Sequence, residues 1–525
     1  MLKSSGVVTW VGLGLGLAAA AGCSWIYDTD NLNGAGAGRD GGDGDGGDQG
    51  GGNGDAGPMA DADPDALDFQ ILPGELFEGE GSALDASDLD AVRALPIVLR
   101  GQNLSGDMTV TLDGAGFESV PVDELAVSPD GRWAAFALRV PVLPDVGQGM
   151  NDSIQVRVQS FEDQTRALTV RGLDSFEQAG GVIDTGASAI RARYSHVVLS
   201  GDIGARGAAP LRLVATAGIE VSGSLHADGA GMAAGAGGCA GGDVGETPSC
   251  GAAGGRGAGT VSGGGGGGFG TGGGGGAGSA AGAGGQAAAS ATLVPLPPAS
   301  GSTSRGAGGG GGGPLLDLTG GEPGGGGGGV VELTTPAVLR LGAATVTANG
   351  AAGTPTGGLG CALAGGSGGS GSGGAILLRA GGALAADPAA RVRALGGPQV
   401  GPMNCFGGAG GVGRIRIDSA GPVELDDQPA AALGPMIAGD APVVTRSEAI
   451  ELSVRGASQS SYDLYLGEAN EPAGSVATGA DGLGSAEVTL APGANLVCVS
   501  GASPADLAYA EARNCVSIAY VPSDE

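Results

Sequence analysis

Two histidines, seven cysteines and a single lysine are the scarce reactive side chains of this 525-residue chain. The lysine, Lys3, stands at the N-terminus, so no phosphate-binding loop built around a lysine can form downstream. Gly365-Gly366-Ser367-Gly368-Gly369 has the G-x-S-x-G spacing of a serine nucleophile. Polyglycine surrounds it, however, and the strand–turn–helix context that exposes such a serine is missing. His196 precedes Val197 and Leu199, and His226 lies between Leu225 and Ala227. If the flanking apolar residues point inward along strands, both rings point to solvent. No catalytic residue and no cofactor are expected. Zinc is not expected either, because no C-x-x-C spacing exists and neither histidine is near a cysteine. Asp43, Asp45 and Asp48 are calcium candidates by oxygen-ligand spacing. Yet the two Gly-Gly-x-Gly-Asp strings that could begin a calcium repeat continue with Gly46 and Ala56 where Asp is required, and no glutamate closes an EF-hand. The competing reading of these aspartates is a flexible acidic tether.

Cys23 separates from the other cysteines by position. Lys3 gives a positive start, Val7 to Ala21 is apolar, and Leu17-Ala18-Ala19-Ala20-Ala21-Gly22 leads directly into Cys23. The apolar run is short and glycine-interrupted for a membrane span. The arrangement resembles a bacterial lipoprotein signal, with Ala20 where leucine is commoner. That resemblance implies removal of residues 1–22, lipidation of Cys23 and attachment to the membrane through the lipid. In that family an acidic residue after the cysteine favours inner-membrane retention; Ser24 points to the outer membrane. Six cysteines then remain, and an even number in an exported chain reads as disulfides. They fall into three sequence-local couples: Cys239–Cys250, Cys361–Cys405 and Cys498–Cys515. Each would constrain the unfolded chain by about 3–4 kcal/mol.

Composition narrows the classes further. Glycine supplies 116 residues, aromatics 3%, and the net charge is −31. A surface this acidic, with no lysine after the signal, repels nucleic acid and acidic lipid, so nucleic acid is not an expected partner.

The elements that would carry any site are strands. From Phe69 to Leu173, alternating runs such as Met108-Thr109-Val110-Thr111-Leu112 and Ile154-Gln155-Val156-Arg157-Val158 predict half-buried strands. Pro129-Asp130-Gly131 marks a turn between two of them. About a hundred residues of this kind suggest a small β-sandwich. The run Pro96-Ile97-Val98-Leu99-Arg100-Gly101-Gln102-Asn103-Leu104 resembles the opening of IPT/TIG immunoglobulin-like domains.

In the centre a unit recurs: apolar, any, Ala, any, Gly. It stands at Ile203–Gly207, Leu225–Gly229, Val346–Gly350 and Val392–Gly396. The first two copies are 22 positions apart and the last two 46, about twice that, with short strands between. Such a period predicts a parallel β-solenoid whose coils bury side chains by stacking. The apolar residue and the alanine would face inward, and the glycine would take a corner needing positive φ. The residues between Ala and Gly (Arg206, Asp228, Asn349, Leu395) give no stacked asparagine ladder. Four glycine runs interrupt the region: Gly263–Gly268, Gly272–Gly276, Gly308–Gly313 and Gly324–Gly329. They are either disordered loops or bundled extended polyglycine helices. The region's composition resembles glycine-rich repeats of bacterial surface proteins and phage adhesins.

Period two returns in Ile450–Val454, Tyr462–Leu466 and Val488–Leu490. With Leu490-Ala491-Pro492-Gly493-Ala494-Asn495, this stretch resembles bacterial immunoglobulin-like modules. Cys498 and Cys515 would face the same way on neighbouring strands.

The expected architecture is all-β: signal 1–22, Gly/Asp-rich tether 23–66, β-sandwich 67–175, glycine-rich β-solenoid 176–425 and C-terminal β-sandwich 426–525. Such a chain suits a non-catalytic surface scaffold or adhesin with a surface or matrix partner. The alternative is a polysaccharide lyase or hydrolase, which would need charged side chains gathered on one solenoid face. Arg212, Glu220, Arg340, Arg391, Arg393, Arg414 and Arg416 read as scattered, and the central region offers few aromatics.

Overall fold

The computed structural model describes residues 67–143, 150–159, 163–186, 193–248, 254–259, 261–287, 308–314, 320–357, 365–467, 469, 471–501 and 513–523. Among the described residues the protein is almost all β, with 42% in strands and 2% helical, and contains a curled parallel sheet.

Nine strands form first: β1 Asp68–Leu72, β2 Glu75–Phe77, β3 Leu95–Gln102, β4 Thr109–Gly114, β5 Phe117–Pro121, β6 Ala126–Val127, β7 Trp133–Leu138, β8 Asn151–Gln159 and β9 Asp163–Arg171. They make two sheets, ordered β1-β3-β7-β6 and β2-β9-β8-β4-β5. Alternation decides their shared core: Ile97, Leu99, Phe136, Ile154, Val156, Val158, Leu168 and Val170 are fully buried in one cluster. The expectation of strands buried on one face fails at β3, where Val98 is also fully buried. Its outer face meets Ala519 and Val521 from the end of the chain.

The parallel region contains β10 Phe176–Asp184, β11 Val197–Arg206, β12 Leu211–Val214, β13 Ile219–Val221, β14 Ser224–His226, β15 Val330–Thr335, β16 Leu339–Leu341, β17 Thr345–Thr347, β18 Ala375–Ala380, β19 Leu384–Ala386, β20 Arg391–Arg393, β21 Arg414–Ser419, β22 Asp426–Gln428 and β23 Ala432–Leu433. β10 pairs in parallel along both halves of β11, and from β11 onward the strands stack as three parallel ladders. Ladder one is β12-β15-β18-β21-β23. Ladder two is the first half of β11 with β13, β16 and β19. Ladder three is the second half of β11 with β14, β17, β20 and β22. The chain visits the ladders in the same order on each full circuit; after β21 no further described strand joins ladder two, and β22 and β23 carry ladders three and one past residue 425.

The recurring unit is what aligns them. Ile203, Leu225, Val346 and Val392 are register partners along ladder three. They and the alanines two positions on (Ala205, Ala227, Ala348 and Ala394) are buried at 0–1% exposure in one cluster. The spacing of 46 therefore hides no extra circuit: Val346 and Val392 are direct neighbours, and the added length is glycine-rich chain between β17 and β18. The corner glycines also have another cause. Gly207 alone of the four has positive φ, at 126°. At Gly229, Gly350 and Gly396 a Cβ would stand 2.4, 2.1 and 2.2 Å from a glycine carbonyl oxygen, so close packing forbids a side chain.

The glycine-rich chain leaves between ladder three and ladder one on successive circuits, and its segments pack together. Gly263, Gly264, Gly265, Gly266 and Gly267 donate N–H groups to Ala277, Ser367, Arg256, Gly274 and Ser370 carbonyls in turn. Donors therefore rotate among three neighbours with period three, the geometry of an extended threefold helix. Gly366–Gly371 repeats the pattern toward three other segments. Runs 263–268, 308–313 and 324–329 are buried throughout. Of the two readings open from sequence, the described glycine runs take the bundled one. Phe269, 1% exposed, plugs the junction with the ladders against Ala375 and Val330.

The last strands are β24 Met436–Ile437, β25 Val444–Thr445, β26 Ala449–Arg455, β27 Ser461–Leu466, β28 Gly474–Ala477, β29 Leu483–Thr489, β30 Gly493–Ser500 and β31 Asn514–Tyr520. They form sheets β24-β26-β29 and β25-β31-β30-β27-β28, around a core that includes Leu452, Val454, Val497, Val499 and Ile518.

Candidate functional site on the outer faces of the ladders

Parallel register converts single outward residues into lines, and these lines are where chemistry could occur. On ladder three one line runs Gly204, His226, Thr347, Arg393, Gln428, and beside it Asp202, Ser224, Thr345, Arg391, Asp426. His226 Nδ1 lies 2.8 Å from Thr347 Oγ1, and Nε2 lies 3.1 Å from Asp202. Hydroxyl, imidazole and carboxylate thus stand in sequence, the order of a nucleophile, base and orienting acid. The environment does not match that chemistry. Asp202 is 84% exposed, so solvent screens its grip on the ring, while Thr347 is 5% exposed, leaving its hydroxyl little access to substrate. Two strands on, Asp426 meets Arg391 at 2.8 Å and Arg393 at 2.9 Å. The Arg393 hydrogen bond, foremost, holds Asp426 below the usual carboxylate range.

Ladder one carries the opposite environment. Its outward lines are Arg212, Glu332, Leu377, Arg416 and Val214, Thr334, Arg379, Asp418. Arg212 lies 3.5 Å from Glu332, and Arg379 lies 3.4 Å from Asp418. Arg416 donates to both Asp418 oxygens, at 2.7 and 2.8 Å. Asn514 Nδ2 donates to Asp418 at 3.0 Å and to the Pro435 carbonyl. Burial works to raise the Asp418 pKa, but the Arg416 and Arg379 guanidiniums with these hydrogen bonds outweigh it and hold it low. Of the outward charges read as scattered, Arg212 and Arg416 join this cluster, whereas Glu220 and Arg340 lie on ladder two and Arg391 and Arg393 on ladder three; within the cluster Asp418 and Arg379 are 0% and 2% exposed, beneath the final strands.

On ladder two, Arg340 donates to Asp88 at 2.8 Å, and Val92 packs on Ala337 and Val338. The segment before β3 thus lies across this face.

The remaining residues singled out by sequence fall as follows. Cys498 and Cys515 are direct register partners, 4.0 Å apart at Cα, and form a disulfide. Cys239 and Cys405 are each in a disulfide; their expected partners Cys250 and Cys361 lie outside the described residues, as do Cys23, Asp43, Asp45 and Asp48. Ser367 is fully buried, and its hydroxyl accepts from Thr356 N–H. His196 and His226 are half-buried; the former approaches Glu177 at 3.7 Å and Ser195 at 3.3 Å. Among the described residues no group of three or more His, Cys, Asp or Glu is placed to hold a metal ion.

Sequence reasoning missed a side-chain ladder at the corner after ladder three. Asn349 N–H donates to Asp228 at 2.6 Å, and Leu395 N–H donates to Asn349 at 2.8 Å. Asp228 and Asn349 share this role, so no run of identical asparagines marks it in the sequence.

No protein-family profile, curated protein or solved structure matches this chain.

Proposed function

We propose that this chain is a non-catalytic outer-membrane lipoprotein, anchored through Cys23, that displays a β-solenoid between two immunoglobulin-like sandwiches as a surface scaffold or adhesin. The observation that carries this reading is how the outward faces are used. Ladder one is sealed under the C-terminal strands, ladder two is crossed by the segment before β3, and the third corner is given to glycine packing. Ladder three keeps a partly exposed polar strip suited to repeated weak contacts. The IPT/TIG-like opening at Pro96–Leu104 falls in and just after β3. Mass spectrometry of the mature N-terminus, with and without globomycin, tests the anchor. A mature chain beginning anywhere but at lipidated Cys23 removes it.

The competing reading, a polysaccharide-active enzyme, draws on the Thr347, His226 and Asp202 alignment. Incubation of the purified chain with acidic polysaccharides should release no product. Cleavage that disappears in His226→Ala would replace the scaffold reading.

A further inference from the structure

We propose that the outermost edge of the glycine bundle, Thr271 to Ala287, is a self-association surface that docks against the same edge of a second copy of this chain. Inside the bundle the glycines of the central run are explained by the fold. A Cβ at Gly263, Gly264, Gly265 or Gly266 would stand 1.7–2.1 Å from a carbonyl oxygen of a neighbouring segment. At the edge it still holds for Gly273 and Gly276, where a Cβ would lie 2.1 Å from the Gly266 and Gly263 carbonyl oxygens, but it stops at two other positions. A Cβ at Gly272 would find its nearest atom 3.4 Å away, at Gly275 3.7 Å away, and neither position has positive φ. The monomer would accept a side chain at both. Glycine without a conformational need costs stability through the freedom of the unfolded chain, and in extended structure it marks close approach by another backbone.

The hydrogen bonds identify the missing approach. Gly273 and Gly276 donate toward Gly285 and Gly282, and Gly274 and Ala277 donate toward Ala409 and Phe406. The third direction of the threefold rotation belongs to Gly272 and Gly275. Both are exposed, and neither N–H meets an acceptor among the described residues. The edge from Thr271 to Ala287 also contains no charged residue, in a chain of net charge −31. An unpaired row of N–H and C=O groups without guarding charges is a template for another backbone.

The occupant must present an edge without side chains and repeat every three residues. This bundle supplies both. Its segments already recognise one another in either direction: Gly264 and Gly267 pair with Ser367 and Ser370 in parallel, while Gly309 and Gly312 pair with Gly325 and Glu322 in antiparallel. An antiparallel pair of identical edges satisfies a two-fold axis, the commonest symmetry of homodimers.

Sedimentation velocity of the full chain in nonionic detergent, across a hundredfold range of concentration, tests the proposal. Reversible dimerisation is expected. Gly272→Glu with Gly275→Glu should weaken it at least about tenfold, because like charges would meet across the edge, with the thermal transition unchanged. A chain that stays monomeric throughout, or dimers unaffected by the glutamates, overturns the proposal. Should the glutamates lower the thermal transition, hydrogen exchange of the unaltered chain decides. The Gly272 and Gly275 amides should gain protection as concentration rises through the dimerisation range, and unchanged exchange, or binding of an added neutral polysaccharide by a chain that remains monomeric, overturns a second copy as the occupant.

Discussion

With no exposed surface of its own, the Asp418 carboxylate compensates two guanidiniums and receives the Asn514 amide from the C-terminal strands. Removing one member of such a buried set leaves the others uncompensated, which costs more than the pair itself contributes. Asp418→Ala should therefore destabilise the chain by about 3–5 kcal/mol in urea unfolding; a loss below 1 kcal/mol would mean that water reaches the cluster. The pH dependence has a definite sign. The folded-state pKa is lowered, so this stability is present above the unfolded value of about 3.9 and is lost as pH falls through the folded value. Unfolding midpoints of the parent should fall below pH 4, and the fall should flatten in Asp418→Ala. Glycines give a second residue-scale contrast. Gly369→Ala places a methyl 2.1 Å from the Gly265 carbonyl oxygen and should prevent native assembly of the bundle. Gly275→Ala should be neutral or stabilise by up to about 1 kcal/mol. Equal thermal transitions for the two variants would refute the packing argument.

Among elements, the ladders depend on lines rather than single contacts, and this divides what the sequence disclosed from what it concealed. The apolar–x–Ala unit marked its inward positions because period two is visible within five residues, and the four copies are neighbours in register. The order of circuits was concealed, because glycine-rich chain of very different length joins otherwise similar turns. Arg379 and Asp418 have outward parity, which reads as solvent until the final strands are placed over them. Polyglycine burial leaves no periodic signal either, since the neighbour of each glycine is another backbone. Parity did disclose Cys498 and Cys515, whose thiols meet across β30 and β31. Closing a span of 17 residues should contribute about 3 kcal/mol. Replacing both cysteines by serine should lower stability by that order, as measured by urea unfolding of the full chain. The corner contacts admit a finer test. Asn349→Ala removes the acceptor for Leu395 N–H and should cost about 1–2 kcal/mol; Asn349→Asp, which keeps the oxygen as at Asp228, should restore most of it.

At the scale of the whole molecule, strands at opposite ends of the chain close on each other. Arg93 donates to the Ala441, Pro442 and Ser517 carbonyls. Gly493, with φ 101°, admits the Trp133 ring where a Cβ would lie 2.7 Å from it. Arg446 reaches the Val127 carbonyl, and Leu72, Val98 and Ala135 pack against Ala519 and Val521. Asn514 then ties the final strands to ladder one. First strands, parallel ladders and last strands therefore share interfaces, and unfolding one exposes apolar surface on another. That coupling predicts a single cooperative thermal transition for the full chain. Arg93→Ala removes a cation that satisfies three carbonyls, worth about 2–3 kcal/mol. Combined with Trp133→Ala, it should release the terminal strands as a separate, earlier transition while the ladders keep theirs. Hydrogen exchange should show the same division, with protection lost first in β3, β30 and β31 and retained in β15 and β18. A variant that still unfolds in one step at the parent midpoint would show that the end-to-end closure does not couple these parts.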